Sequence, residues 1–375
     1  MTSESVETGP TPADVDVVDV VVVGAGQAGL AVGYWLQRRH RSFVVLDRES
    51  ELGSTWRHRW DSLRLFTPAG FSHLPGLPFP GPAAAAPTKD EMADYLTAYT
   101  QHFALPVELA TTVASVDQDG DHLLVTATNG RAWRARDVVL ASGAHSRPRI
   151  PGFAAELDPA ILQLHSRDYR QPAQVPAGAV LVVGAGNSGA EIATELAAGH
   201  AVQLSGRDVG HIPQLGPWTY PLMRLLGRPG ASLARRALRG GAEPLGRIRA
   251  GELEAAGIRR VPRMVGVRDG CPLFADGTTA PVAAVVWCTG LSPDYRYVRV
   301  PVLDDAGQLI HRRGVTNWPG LYAVGLPHQS SITSHLVGGV GTDARHIVQH
   351  PTRRQTPRQT PQRPRRLSRS ETGRG

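Results

Sequence analysis

Cysteine is nearly absent. The 375 residues hold only Cys271 and Cys288, too far apart for a CxxC pair, which excludes a dithiol redox site and a zinc ribbon. Cys288 lies in AAVVWCTG and reads as a small residue of a buried strand. Long apolar runs are missing too. Nothing approaches the ~18–20 residues of a membrane-spanning helix, and VDVVDVVVVGAG is short and broken by aspartate. His58, His73 and His145 share no ligand spacing, so no metal is expected. Ser330-Ser331 stands outside a nucleophile elbow and has no triad, so hydrolase chemistry is not expected. The start, MTSESVETGPTPADVD, is acidic and polar, unlike a secretory signal or transit peptide, and a cytoplasmic location is the expectation.

Excess charge is also missing from most of the chain. The formal net charge is +7, but residues 351–375 alone hold eight arginines against one glutamate. The other residues therefore sum to zero. The basic character belongs to PTRRQTPRQTPQRPRRLSRSETGRG, which has too few apolar residues to fold and reads as a disordered basic tail. No nucleic-acid partner is expected, and the sequence sets no oligomeric state.

What the chain does have is glycine in a particular order. The apolar run Val20–Val23 stops at Gly24-Ala25-Gly26-Gln27-Ala28-Gly29, and a helical pattern follows. Gly24 permits a tight turn, Gly26 lets the backbone approach a pyrophosphate, and Gly29 lets the helix pack on the strand. The next apolar strand, FVVLD, ends at Asp47 with Arg48 after it. That aspartate is placed to hydrogen-bond ribose hydroxyls. The device recurs 160 residues later at Gly184, Gly186, Asn187, Ser188 and Gly189. Its next strand, HAVQL, runs into Ser205-Gly206-Arg207. Aligning strands puts Ser205 where Asp47 falls, whereas counting from the first glycine puts Arg207 there. Either way no acid is present. A carboxylate would repel a 2′-phosphate, while Ser205 and Arg207 can bind one. The first device suits a nucleotide with a free ribose such as FAD, and the second prefers NADPH.

The surrounding segments make the pair specific. RDVVLASGAHSRPRIPG is a buried strand running to Gly143 and a proline-rich crossing, and AAVVWCTGLSPD repeats that ending at Thr289-Gly290. GLYAVGLPHQSSITSHLVGGVGTDARHIVQ has a strand that stops at Gly325 and a helix with Gly338, Gly339 and Gly341. With LGSTWRHRWDSLRLFTPAGFSHLPGLPFPG and LHSRDYRQP, these segments resemble the class B flavoprotein monooxygenases over residues 18–350. Within that family the chain is similar to bacterial flavoproteins named for potassium transport, to the flavin-containing monooxygenases and to the plant YUCCA enzymes.

The resemblance implies an α/β fold of two Rossmann-like, three-layer dinucleotide-binding domains. Residues 18–150 plus 291–350 would bind FAD. Residues 151–290, with a helical insert over Pro213–Arg249, would form the NADPH domain inserted between those two stretches. Residues 1–17 and 351–375 are expected to be disordered. The resemblance further implies that NADPH reduces the flavin, and that reduced flavin and O₂ form a C4a-(hydro)peroxyflavin that oxygenates a small organic substrate. Trp56 and Arg57 would cover the flavin, with Arg64 and Thr67 as weaker candidates. Gly143, Thr289, Gly290 and Gly325 would border the nucleotides. No acid–base side chain is assigned to catalysis.

Three departures from the family pattern stand out. The signature FxGxxxHxxxYK keeps His165 and Tyr169, but Pro159 and Ile161 replace its phenylalanine and glycine, and Arg170 replaces its lysine. Phe66 stands where flavin-containing monooxygenases place an asparagine near the flavin. The competing readings are an NADPH oxidase or reductase that passes electrons to O₂ or a partner, and a flavin-binding regulatory protein whose basic tail docks elsewhere.

Overall fold

Two valine-rich runs that end at glycine become the central strands of two separate sheets. The computed structural model describes residues 15–143, 146–211 and 245–350. His145, residues 213–244 of the insert, the first 14 residues and the basic tail lie outside the described residues.

The chain opens with β1 (Val15–Val23), α1 (Gln27–Gln37), β2 (Phe43–Leu46), α2 (Ser54–Arg57), α3 (Lys89–His102), β3 (Val107–Glu108), β4 (Val113–Asp119), β5 (His122–Ala127) and β6 (Ala132–Leu140). It continues with β7 (Arg147–Pro148), β8 (Leu162–His165), β9 (Ala179–Val183), α4 (Asn187–Leu196), β10 (Ala201–Ser205), α5 (Ala250–Ala255), β11 (Arg259–Val261), β12 (Met264–Arg268), β13 (Cys271–Phe274) and β14 (Ala284–Trp287). It closes with β15 (Leu291–Ser292), β16 (His311–Arg312), β17 (Val315–Thr316), β18 (Leu321–Ala323) and α6 (Val337–Gln349).

The first sheet has nine strands, ordered β16–β17–β18–β6–β1–β2–β3, with β4 and β5 attached through β6. β1 runs parallel to β2 on one side and to β6 on the other. The second sheet has five strands, ordered β11–β10–β9–β14–β8, and every pair is parallel. All five come from the stretch between β6 and β18, so the chain leaves the first sheet, builds the second and returns. The outward and return passages run side by side, with Leu291 paired to Pro148 and Ser292 to Arg147. In both sheets the chain turns outward in opposite directions on either side of the central strand. A crevice opens at the carboxyl end of such a strand, and ligands bind there. The fold is therefore α/β with two Rossmann-like units, as expected.

The first strand begins earlier than the sequence reading placed it. Residues 15–17, expected in a disordered start, belong to β1 because Val15, Asp16 and Val17 pair with Ala132, Trp133 and Arg134 of β6. Ladder hydrogen bonds hold this half although it is largely exposed; only Val20–Val23 are buried. α3 starts on a reciprocal cap: Glu91 N–H donates to Thr88 Oγ1 (3.1 Å) and Thr88 N–H to Glu91 Oε2 (2.7 Å).

One apolar cluster joins the two sheets. It runs from Val20, Val22 and Leu30 of β1 and α1, through Trp60, Leu63 and Tyr169, to Val180, Val182, Ile192 and Leu196 of β9 and α4. Each fully buried leucine or valine in it contributes roughly 1.5–3 kcal/mol. Among the described residues no helix is long and apolar enough to cross a membrane.

Candidate functional site

The two glycine turns share the contacts of their first and third glycines. Gly24 N–H donates to Leu46 O, and Gly184 N–H to Ser205 O, both at 2.7 Å. The φ angles are +108° and +107°, and a Cβ would lie 2.6 Å from Ala141 O at Gly24 or 2.2 Å from Cys288 O at Gly184. Both positions need glycine. A Cβ at Gly29 or Gly189 would lie 1.8 Å from the carbonyl oxygen of Gly24 or Gly184, so these two set how closely each helix rests on its strand. They do not line the cavity described below.

Gly26 and Gly186 differ in kind. Each caps its helix with φ near −75° (−73° and −78°) and no side-chain cap, and a Cβ there meets nothing within 4 Å. The N-terminal ends of α1 and α4 thus open onto space that no capping side chain fills, the setting of an anion site at a helix N-terminus.

Both open spaces belong to one cavity of about 1480 Å³. That exceeds the ~300–1,000 Å³ of a site for one small ligand. Gly24, Ala25, Gly26, Gln27, Ala28, Asp47, Arg48, Trp56, Gly143 and Gly325 line it from the first sheet. Gly184, Gly186, Asn187, Ser188, Arg207, Thr289 and Gly290 line it from the second. The cavity also takes in Arg64, Phe66 and Thr67.

The paired turns fix an equivalence that the sequence left open. Leu46 and Ser205 each accept from the first glycine, so Asp47 corresponds to Gly206 and Arg48 to Arg207. Asp47 Oδ2 accepts from Ala25 N–H (2.5 Å) and Oδ1 from Glu49 N–H (2.9 Å), which holds the carboxylate at the cavity wall. At Gly206 a Cβ would lie 2.7 Å from Ala185 N, so no side chain of any kind stands there.

Ser205 is therefore corrected. Its hydroxyl donates to Pro262 O (2.9 Å), accepts from Met264 N–H (2.8 Å), and is buried away from the cavity. It ties β10 to the segment after β11 and has no phosphate to read. Ser205→Ala should lower stability by about 1–3 kcal/mol, because the buried Met264 N–H loses its acceptor. Thermal melting checks this.

Arg57 is the second correction. Its Nη2 lies 2.5 Å from Asp94 Oδ1 and its Nη1 3.8 Å from Asp90 Oδ1, so α3 draws it off the cavity. Trp56 does reach the cavity and also packs on the shared core.

The family-like His165 and Tyr169 are buried. His165 Nε2–H donates to Gly290 O (3.1 Å), Nδ1 accepts from Arg167 N–H (3.1 Å), and burial lowers its pKa. Neutral imidazole thereby ties β8 to the loop after β14. Tyr169 donates to Glu195 Oε2 (3.0 Å), with burial raising its pKa. Arg170, in place of lysine, donates to Arg167 O (2.6 Å) and Tyr169 O (3.0 Å). His58 Nδ1 contacts Ser54 Oγ (3.0 Å) and His73 the Leu74 carbonyl (3.3 Å). Among the described residues no group of three or more His, Cys, Asp or Glu could hold a metal ion.

The cavity also gathers residues that sequence reading passed over: Arg59, Trp60, Glu191, His328 and His335. Burial pushes the Glu191 carboxyl up to about 7, against the pull of Arg247 at 3.8 Å. Glu191 lies four residues after Asn187 and three after Ser188, so helical spacing could have flagged it. Burial raises the Cys288 thiol to about 12, so it is no ready nucleophile.

Comparison with known proteins follows this geometry. Residues 21–222 match the pyridine nucleotide-disulphide oxidoreductase family. An uncharacterized CzcO-like oxidoreductase of Geobacillus kaustophilus is 40% identical over 88% of this chain and 97% of its own length. The indole-3-pyruvate monooxygenase YUCCA1 of Oryza sativa subsp. japonica is 29% identical over 88% of this chain and 90% of its own. Among solved structures, a flavin-containing monooxygenase from Stenotrophomonas maltophilia superposes with a TM-score of 0.73 and 31% identity, covering 89% of this chain and 98% of that one.

Proposed function

The chain belongs to the class B flavoprotein monooxygenases, and from that premise we propose that it uses FAD and NADPH to insert an oxygen atom from O₂ into a small organic substrate. The observation that carries this reading is the opening of two glycine cradles into one cavity. We assign FAD to the cradle of β1 and α1, within residues 18–150 and 291–350, because Asp47 is positioned for a free ribose. NADPH goes to the cradle of β9 and α4, within residues 151–290, because Gly206 removes the acid and Arg207 follows it.

Each cradle offers helix N–H groups to a pyrophosphate. Trp56, Gly143 and Gly325 border the first nucleotide; Asn187, Ser188, Thr289 and Gly290 border the second. Bound flavin would pass the two electrons of nicotinamide to dioxygen, one oxygen atom going to the substrate and the other leaving as water. The protein's part is to hold both nucleotides against one space and to keep bulk water from it.

Phe66 favours a second reading. It lines the cavity without an amide to offer, as an enzyme that releases H₂O₂ could also do. Stopped-flow mixing of NADPH-reduced protein with O₂ separates the two. The monooxygenase reading expects an absorbance transient that persists before oxidised flavin returns, with NADPH consumption coupled to product once a substrate is present. Direct return of oxidised flavin with an equivalent of H₂O₂ would establish the oxidase.

A further inference from the structure

Arg59 lines the cavity, yet among the described residues no carboxylate and no hydrogen-bond acceptor meets its guanidinium. Several other arginines that line the cavity are engaged, and Arg147 and Arg149, which also line it, are exposed. Arg48 lies 3.1 Å from Glu49, Arg296 lies 2.7 Å from Asp294, and Arg64 Nη1 donates to Ala86 O (3.1 Å). The adjacent Trp60 also lines the cavity, and its buried Nε1–H has no acceptor among the described residues. The charges that act on Arg59 are those of Arg167 and Arg170. Burial first, and then these two cations, hold its pKa below the ordinary arginine value. A half-buried cation near two others is costly, and arginine does not escape the cost by losing its proton. An anion bound in the cavity would offset that cost.

The position narrows which anion. Asp61 N–H donates to Arg170 O (2.8 Å), which fastens this stretch to the loop after β8, and Ser166 of that loop lines the cavity. β8 is two strands away from β9 in the order β9–β14–β8. At about 4.8 Å per strand, that is roughly 10 Å from the cradle at the end of β9. Each pyrophosphate already has its own helix N-terminus. Arg59 is thus left for a third anionic group.

We propose that Arg59 and the Trp60 N–H bind the carboxylate of the organic substrate, so that the enzyme selects organic acids. This rests on reading the cavity as a monooxygenase site.

The test titrates flavin-loaded full-length protein with phenylacetate and with phenylacetamide, following the flavin absorbance. The two probes differ in charge and hardly in shape. Wild-type protein should bind phenylacetate roughly 10- to 100-fold more tightly, the range for a charge-assisted pair. In Arg59→Met the ratio should fall to about one, with the Kd for NADP⁺ within about twofold of wild type. Arg59→Lys keeps a charge without the planar fork and should give an intermediate ratio, which preserves the test if the methionine variant does not hold flavin. Equal binding of both probes by wild type, or an unchanged ratio in the variants, overturns the proposal. A Kd for NADP⁺ raised about tenfold with the ratio intact would assign Arg59 to a nucleotide phosphate and overturn it equally. The readout needs no turnover, so an oxidase result by stopped flow would leave this ratio standing.

Discussion

Gly26→Val should purify as a folded but colourless protein, whereas the wild type should be yellow and release FAD on denaturation. Two facts combine to give that outcome. Gly26 has φ −73°, which valine adopts readily, and a Cβ there meets nothing within 4 Å, so the substitution costs the fold little. The same space is where the backbone must approach a pyrophosphate, and an isopropyl group fills it. Gly29→Ala is the contrasting control: its methyl would lie 1.8 Å from Gly24 O, so helix and strand must part and the protein should lose stability before it loses affinity. Circular dichroism with flavin absorbance separates the two behaviours. Folded Gly26→Val with full flavin content would refute the assignment of the first cradle.

Arg207→Ala should raise the KM for NADPH roughly 10- to 100-fold and leave that for NADH nearly unchanged, the loss expected for a charge-assisted contact to phosphate. The flavin spectrum should not change, because Arg207 lines the cavity from the second sheet, beyond the cradle of the first. With Ser205 committed to Pro262 and Met264, its hydroxyl does not soften the effect, and the single substitution is the test. Equal losses for NADH and NADPH would show that Arg207 does not read the 2′-phosphate.

The cradles were legible because their determinants are local. A run of valines, a glycine that must turn, a second that must stay bare and a third that must admit a helix all fall within one short segment. The equivalence of Asp47 with Gly206 was not legible, because it depends on which residue of β10 accepts from Gly184, a hydrogen bond between segments 21 residues apart. Arg57 and Arg59 show the same limit. Both follow Trp56 in one polar stretch, and the resemblance to the family singled out Arg57 as the one that covers the flavin. α2 ends at Arg57, whose guanidinium meets Asp94 on α3, while Arg59 turns toward the loop after β8. Which of two arginines keeps a counter-ion is decided by distant elements. Ser205 was misread for a related reason: an alternating strand does not reveal that its last hydroxyl is claimed by a neighbouring segment.

The apolar cluster that runs unbroken from β1 and α1 to β9 and α4 bears on how such a protein can be recombined. The paired passages at β7 and β15 look like natural cut points for exchanging the nucleotide-binding insert between relatives. A cut there severs little backbone, yet it divides a packed interior whose two halves were fitted to each other. A chimera that imports a foreign insert must also import the residues facing it, among them Trp60 and Leu63. If Arg207 reads the 2′-phosphate as proposed, coenzyme preference is easier to transplant by point changes around it than by swapping the whole unit.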